Sequence, residues 1–205
     1  MSISKKEVLE HQRREMERDE IYRSHGFIHA TGISFILQKA LPLEGRVLEI
    51  GTGKGRFLAE LLKYLPSVTT LDISEEEQRL ARLNLAWLRP MGKARFLLGD
   101  VTRLPWKRAT FDAVVSVNAL HHFRAMKRAL AEMVRVTRRG GKMVLADFDE
   151  SGFDVLERIH HSEGRVHERH TYSMDDVAAQ LSAWGWNILR ENGAGQEVLI
   201  ATRCQ

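Results

Sequence analysis

Cysteine is nearly missing from this chain. A single residue, Cys204, stands among 205, so no internal disulfide can form, and a reducing compartment, the cytoplasm, is expected. Proline is scarce at four residues, and no Pro/Gly-rich linker, low-complexity tract or internal repeat divides the sequence. No apolar run approaches the ~20 residues that cross a bilayer, so no membrane span is expected. The N-terminus is charged from Lys5 onward, without the apolar core or cleavage site of a signal peptide. Aromatic residues make up only 7%, few for stacking on bases, and no appended RNA-binding domain is visible; both speak against a nucleic-acid partner.

What remains is an ordinary globular composition, 43% hydrophobic and 28% charged, long enough for one domain with a sizeable core. The formal charge of +4 is unevenly placed. The first segment is nearly balanced, whereas between Arg103 and Lys142 ten Lys/Arg face only Asp112 and Glu132. Such a stretch is either a solvated helix face or a surface for an anionic partner.

Residues 4–23 read as a charged helix with sparse apolar positions (Val8, Leu9, Met16, Ile21), hence weakly anchored, and 27–40 as a more apolar one. Strand-like runs follow at 46–50, 68–72, 94–98, 112–117 and 142–147, with helix-like stretches at 55–64, 75–88 and about 123–138 between them. Ser74 with Glu77 predicts a capping box before 75–88. Arg138-Arg139-Gly140-Gly141 reads as the cationic end of the 123–138 helix with glycine beyond it. Alternating strands and helices imply a mostly parallel sheet covered on both faces. After a helix from Ser173 to about Trp184, strand candidates 186–191 and 197–203 are separated only by Asn192-Gly193-Ala194-Gly195, which forces an antiparallel hairpin.

The chemistry concentrates at strand ends. Val47-Leu48-Glu49-Ile50 runs into Gly51-Thr52-Gly53-Lys54-Gly55, a glycine turn that brings backbone N–H groups close to a ligand. The dinucleotide fingerprint needs glycine where Arg56 stands, and the P-loop pattern is absent. Asp72 ends the second strand, where a carboxylate can accept from a ribose diol. Asp100 follows the third, placed to accept from an amine, and Asn118-Ala119-Leu120-His121-His122 follows the fourth. Open α/β sheets bind ligands at these carboxyl ends.

Glu49 through Gly55, Leu71-Asp72-Ile73, Gly99-Asp100-Val101, Phe111-Asp112-Ala113-Val114-Val115, His121-His122 and Arg139-Gly140-Gly141-Lys142 together resemble the class I S-adenosylmethionine-dependent methyltransferases. The closest style is the small-molecule branch with the quinone and sterol methyltransferases, and the resemblance is strongest over 45–148. It implies a Rossmann-like, doubly wound α/β fold with a mostly parallel seven-stranded sheet and a C-terminal antiparallel hairpin. It also implies S-adenosylmethionine as methyl donor and S-adenosylhomocysteine as product. By position, Glu49, Gly51, Thr52, Gly53 and Gly55 would hold the methionine end. Asp72 would take the ribose hydroxyls, Ile73 and Val101 would pack the adenine, Asp100 would bind its amino group, and Asn118 would lie beside the sulfonium. One domain over 1–205 is expected, with an N-terminal helical cap at 1–40 and the cofactor-binding core at 45–148. A His-rich lid at 148–172 and a terminal helix and hairpin at 173–205 complete it.

Methyl transfer is a displacement that positioning alone can accelerate, so the acceptor stays open. The strand-four end lacks the Pro-Pro-aromatic signature of many amino-group methyltransferases, and no cysteine lies near the site for covalent pyrimidine chemistry. Histidines are the odd feature: His160, His161, His167 and His170 crowd into eleven residues, and His25 and His29 stand four apart near the start. They are candidates for an acceptor pocket or for polar residues on a lid; their spacing matches no metal motif, and no metal is expected. His121 and His122 are the candidate general bases. An RNA or protein methyltransferase using 103–142, and a non-catalytic cofactor-binding scaffold, remain as alternatives.

Overall fold

The computed structural model describes residues 3–164 and 172–203. One seven-stranded sheet organises them. β1 (Val47–Ile50), β2 (Ser67–Asp72), β3 (Lys93–Leu98), β4 (Phe111–Val117) and β5 (Thr137–Phe148) run parallel. β6 (Asn187–Gly193) and β7 (Gln196–Thr202) form the hairpin, and β7 pairs antiparallel with β5. The spatial order is β3-β2-β1-β4-β5-β7-β6, so the chain reverses direction across the sheet between β1 and β4. The expected architecture is the observed one.

All four β1 residues are buried, as expected of a central strand covered on both faces. Leu48 and Ile50 join a core with α5 (Met126–Val136) and α7 (Met174–Ala183) on one face. Val47 packs on the other face with α2 (His29–Ala40) and α3 (Arg56–Leu61). By strand alternation Glu49 points to that second face, beneath the turn that follows β1.

Three local expectations need correction. α4 (Glu75–Leu88) has the expected bounds, and Ser74 Oγ accepts from the Glu77 N–H at 3.2 Å. The reciprocal half of the capping box is replaced, because the Ser74 N–H donates to Asp72 Oδ1 at 2.8 Å instead. α5 ends at Val136, short of Arg138; 138–141 belong to β5, where the register slips between Phe111↔Thr137 and Ala113↔Lys142. Arg138 is drawn there by Asp112, its Nε 2.6 Å from Oδ1. The third concerns α1 (Lys5–Ser24), for which Leu9, Met16 and Ile21 are exposed as the sparse pattern implied, yet the helix is not loosely held. Its buried residues are His11, Glu15 and Tyr22. Gln12 Nε2 donates to Asn84 Oδ1 on α4 at 2.6 Å, and His11 Nε2 lies 3.1 Å from the same oxygen.

α6 (Glu150–Ser162) follows β5, with Asp149 accepting from the Gly152 N–H at its start. Phe153, Leu156 and Ile159 of α6 pack with Phe148 and Tyr22, joining α1 to the sheet end. Of the basic stretch, Arg135 donates to the Leu104 and Trp106 carbonyls and Lys142 to those of Ala40 and Pro42. With Arg138, three of its cations are thus committed to the fold. No described helix is long and apolar enough to cross a membrane.

Candidate functional site

A cavity of about 930 Å³ opens at the carboxyl ends of the strands, around the β1–β4 reversal, where open α/β sheets place ligands. Its floor is the glycine turn. Gly51 donates to the Leu71 carbonyl at 2.8 Å and adopts φ +83°, and a Cβ there would lie 2.4 Å from the Ala119 Cβ. Only glycine fits both conditions. At Gly53 the situation is reversed, since an added Cβ would meet nothing within 4 Å, so the backbone edge is left open.

Asp72 does two jobs at once. Its Oδ2 accepts from the Gly53 N–H at 2.8 Å and its Oδ1 from Ser74, so one carboxylate pins the glycine turn to the start of α4. Each oxygen keeps a further lone pair for a ligand. Ile73 (72% exposed), Asp100 and Val101 line the cavity beside it. Asp100 Oδ1 accepts from the Thr102 N–H at 2.8 Å, capping a short 3₁₀ turn over Val101–Arg103.

Glu49 is placed differently from the expectation. It is 1% exposed and absent from the cavity wall. Thr70, its register partner on β2, donates to Glu49 Oε2 at 2.5 Å. Thr70 has one hydroxyl proton, so the 2.6 Å contact between Thr70 and Thr52 is a bond that Thr52 donates. Desolvation pushes the Glu49 carboxyl up to about 8, above the opposing pull of Thr70, so it is protonated at neutral pH. Glu49 therefore reaches the cavity only through Thr52, which does line it.

At the end of β4, Asn118 adopts φ +51° and lines the cavity. Its Oδ1 is sealed from solvent and has no hydrogen-bond partner among the described residues. His121 and His122 follow, with ring centroids 3.9 Å apart, and both line the cavity. His121 Nδ1 is 2.7 Å from Asp147 Oδ1, and the His121 backbone N–H donates to Asp147 Oδ2 at 2.9 Å. Both residues are buried, at 6% and 3% exposure. The carboxylate fixes the ring and sets Nδ1 as the protonated nitrogen, leaving Nε2 as the basic one.

The other histidines separate. His29 and His160 line the cavity. His25 does not; it caps α1, with Nδ1 2.9 Å from the Ile21 carbonyl, so the four-residue spacing to His29 falls across two helices. His161 is exposed and also off the wall, while His167 and His170 lie outside the described residues. Among the described residues no group of three or more His, Cys, Asp or Glu side chains is arranged to hold a metal ion.

Sequence reasoning missed the polar roof. Arg56 was read only as a departure from the dinucleotide pattern, yet its Nη2 lies 2.7 Å from Glu15 Oε2 and 2.9 Å from Asp19 Oδ1. Lys54 Nζ donates to Glu15 Oε1 at 2.5 Å. Arg56 Nη1 is 2.6 Å from His29 Nε2, and since a guanidinium only donates, His29 Nε2 accepts and Nδ1 carries the proton. Burial lowers the His29 pKa, in keeping with that neutral ring. Asp147 was legible by the rule that found Asp72 and Asp100, an acid at the end of a parallel strand. Gln196, at the first position of β7, carried no signal of its own.

Comparison with known proteins agrees with this geometry. Residues 48–145 match the family described as a methyltransferase domain. Over those residues the chain carries a methyltransferase domain, on the fold of the S-adenosylmethionine-dependent methyltransferases. It is 32% identical over 152 residues to the O-methyltransferase cnsE of Penicillium expansum, covering 72% of this chain and 54% of that protein. It is 34% identical over 112 residues to the demethylmenaquinone methyltransferase of Deinococcus radiodurans, covering 50% and 43%. The chain thus spans about half the length of the curated relatives it matches. A solved Thermotoga maritima structure described as a SAM-dependent methyltransferase, possible histamine N-methyltransferase, shares the fold with TM-score 0.68. It is 22% identical, with 96% of this chain and 98% of that chain covered.

Proposed function

We propose that this chain transfers a methyl group from S-adenosylmethionine to a small-molecule acceptor. The observation that carries the reading is the convergence on one cavity of the glycine turn, Asp72, Asp100 and Asn118, with the His121–Asp147 pair at the same wall. The residues suit the cofactor: the backbone edge at Gly53 is open, two strand-end acids stand ready to accept, and a buried Asn118 oxygen lacks a partner among the described residues. About 930 Å³ is at the upper end for small-molecule pockets (roughly 300–1,000 Å³), which supports room for donor and acceptor together. The relatives described as an O-methyltransferase and a demethylmenaquinone methyltransferase support a small acceptor.

When bound, S-adenosylmethionine supplies an electrophilic methyl group on sulfur, taken by an acceptor lone pair as the carbon–sulfur bond breaks to give S-adenosylhomocysteine. Asp72 receives the ribose hydroxyls on its spare lone pairs, and Asp100 the adenine amino group. Ile73 and Val101 flank the base, and the turn from Gly51 to Gly55 receives the methionine end. The Asn118 oxygen turns its negative end toward positive charge. His121 Nε2 takes the acceptor's proton, and Asp147 steadies the imidazolium that results. Tyr22, Phe27 and His29 of the N-terminal segment and Phe148, Leu156 and His160 of the segment after β5 wall the acceptor's part of the cavity.

Calorimetry with S-adenosylhomocysteine tests this. Binding is expected in the native chain, weakened about 10–100-fold in Asp72→Ala, given about 1.5–3 kcal/mol for a charged hydrogen bond. Labelled donor should pass its methyl group to a small molecule. No binding, or equal binding by both proteins, overturns the reading.

A further inference from the structure

Beyond the donor end, the cavity has an apolar chamber that its floor does not explain. Tyr22, Phe27, Phe148 and Leu156 line it, and the Phe27 and Phe148 rings stand 5.8 Å apart. Among the described residues the acids on the cavity wall are Asp72 at the end of β2, Glu77 on α4 and Asp100 after β3. Lys54 and Arg56 are already paired with Glu15 and Asp19. The described residues that line this chamber are mostly aromatic and aliphatic, which suits an uncharged ring.

One side chain there is out of balance. Gln196 lines the cavity at 1% exposure, and its Oε1 is sealed from solvent with no hydrogen-bond partner among the described residues. Its stem is pinned by α2, since a Cβ at Gly32 would come within 3.2 Å of Gln196 Cγ and 3.4 Å of Nε2. Its backbone is fixed between Phe148 and Gly193. A buried carbonyl left unpaired is unfavourable, and the loss is recovered when a donor arrives.

We propose that the Gln196 carboxamide oxygen reads the methyl acceptor, taking a hydrogen bond from an O–H or N–H group on an uncharged ring held in the Tyr22–Phe27–Phe148 chamber. The proposal rests on the methyltransferase reading and adds the residue that selects the acceptor. Gln196 is a specificity residue; it takes no part in bond making.

The probes are 1-naphthol and 1-methoxynaphthalene, titrated into the chain saturated with S-adenosylhomocysteine. The naphthol should bind about tenfold more tightly than its ether, the worth of one hydrogen bond. Gln196→Met should bring the two within about twofold while S-adenosylhomocysteine affinity holds and the melting temperature does not fall. Should the methionine variant fail to fold, Gln196→Asn, which withdraws the oxygen by one methylene, should also shrink the preference. Equal binding of both probes to the native chain, a preference surviving both substitutions, or no binding of either probe overturns the role of Gln196. Failure of S-adenosylhomocysteine to bind overturns the functional reading itself, and the assignment of Gln196 with it.

Discussion

Arg56 Nη2 and Glu15 Oε2 lie 2.7 Å apart, so the residue that follows the glycine turn is held by the N-terminal helix. Glu15→Gln should leave Lys54 and Arg56 short of a partner and weaken the α1 contact by about 1–3 kcal/mol. Amide exchange in α1 should then quicken about tenfold or more, with the β4 and β5 amides unchanged. Equal protection of α1 in both proteins would show that the ion pair carries nothing.

Asp147→Asn replaces an acceptor facing His121 Nδ1 with a group that can also donate, and so disturbs the tautomer. The turnover rate should fall about 10²-fold at neutral pH with little change in donor KM. The loss should shrink as pH rises and the acceptor ionises unaided. A loss constant across pH would mean that Asp147 only supports the fold.

Glu49 gives a pH signature with a definite sign. Its pKa is raised from 4.5 to about 8 in the fold, so between those values the native state holds a proton that the unfolded chain has lost. Its contribution is complete below pH 4.5 and is lost as pH rises to about 8, at about 1.4 kcal/mol per unit. Glu49→Gln, which cannot ionise, should gain in melting temperature relative to the native chain between pH 5 and 8. Parallel curves for the two proteins would contradict the buried, protonated carboxyl.

Gly51→Ala should be destabilising twice over, through the 2.4 Å approach to the Ala119 Cβ and through φ +83°. Adding Ala119→Gly removes the first cost and leaves the second. The double variant should therefore melt between the single variant and the native chain. Additive losses would place the two residues out of contact.

The strands, their parallel pairing, the closing hairpin and the strand-end acids were legible because each rests on a local signal: an apolar run, a glycine that must turn, an acid at the place where a parallel strand stops. Glu49 shows the limit of that logic. It stands in the right motif, but strand alternation turns its carboxyl beneath the floor, and only Thr70 and Thr52 connect it to the cavity. α1 shows another limit, because hydrophobic periodicity is blind to a helix held by His11, Glu15 and Asp19. Arg138–Gly141 misled for a third reason: cations followed by glycine resemble a helix end, and only pairing with Asp112 reveals a strand irregularity.

The grip of α1 on the glycine turn is electrostatic, through Glu15 and Asp19, whereas Tyr22 packs on the sheet end and α6. These ion pairs are partly buried and in direct contact, at 2.5–2.9 Å, so salt screens them far less than it screens exposed charges. Acid is the dial on this chain instead. As pH falls through the lowered pKa values of Glu15 and Asp19, the roof over the donor end loosens while the seven strands beneath it stay in place.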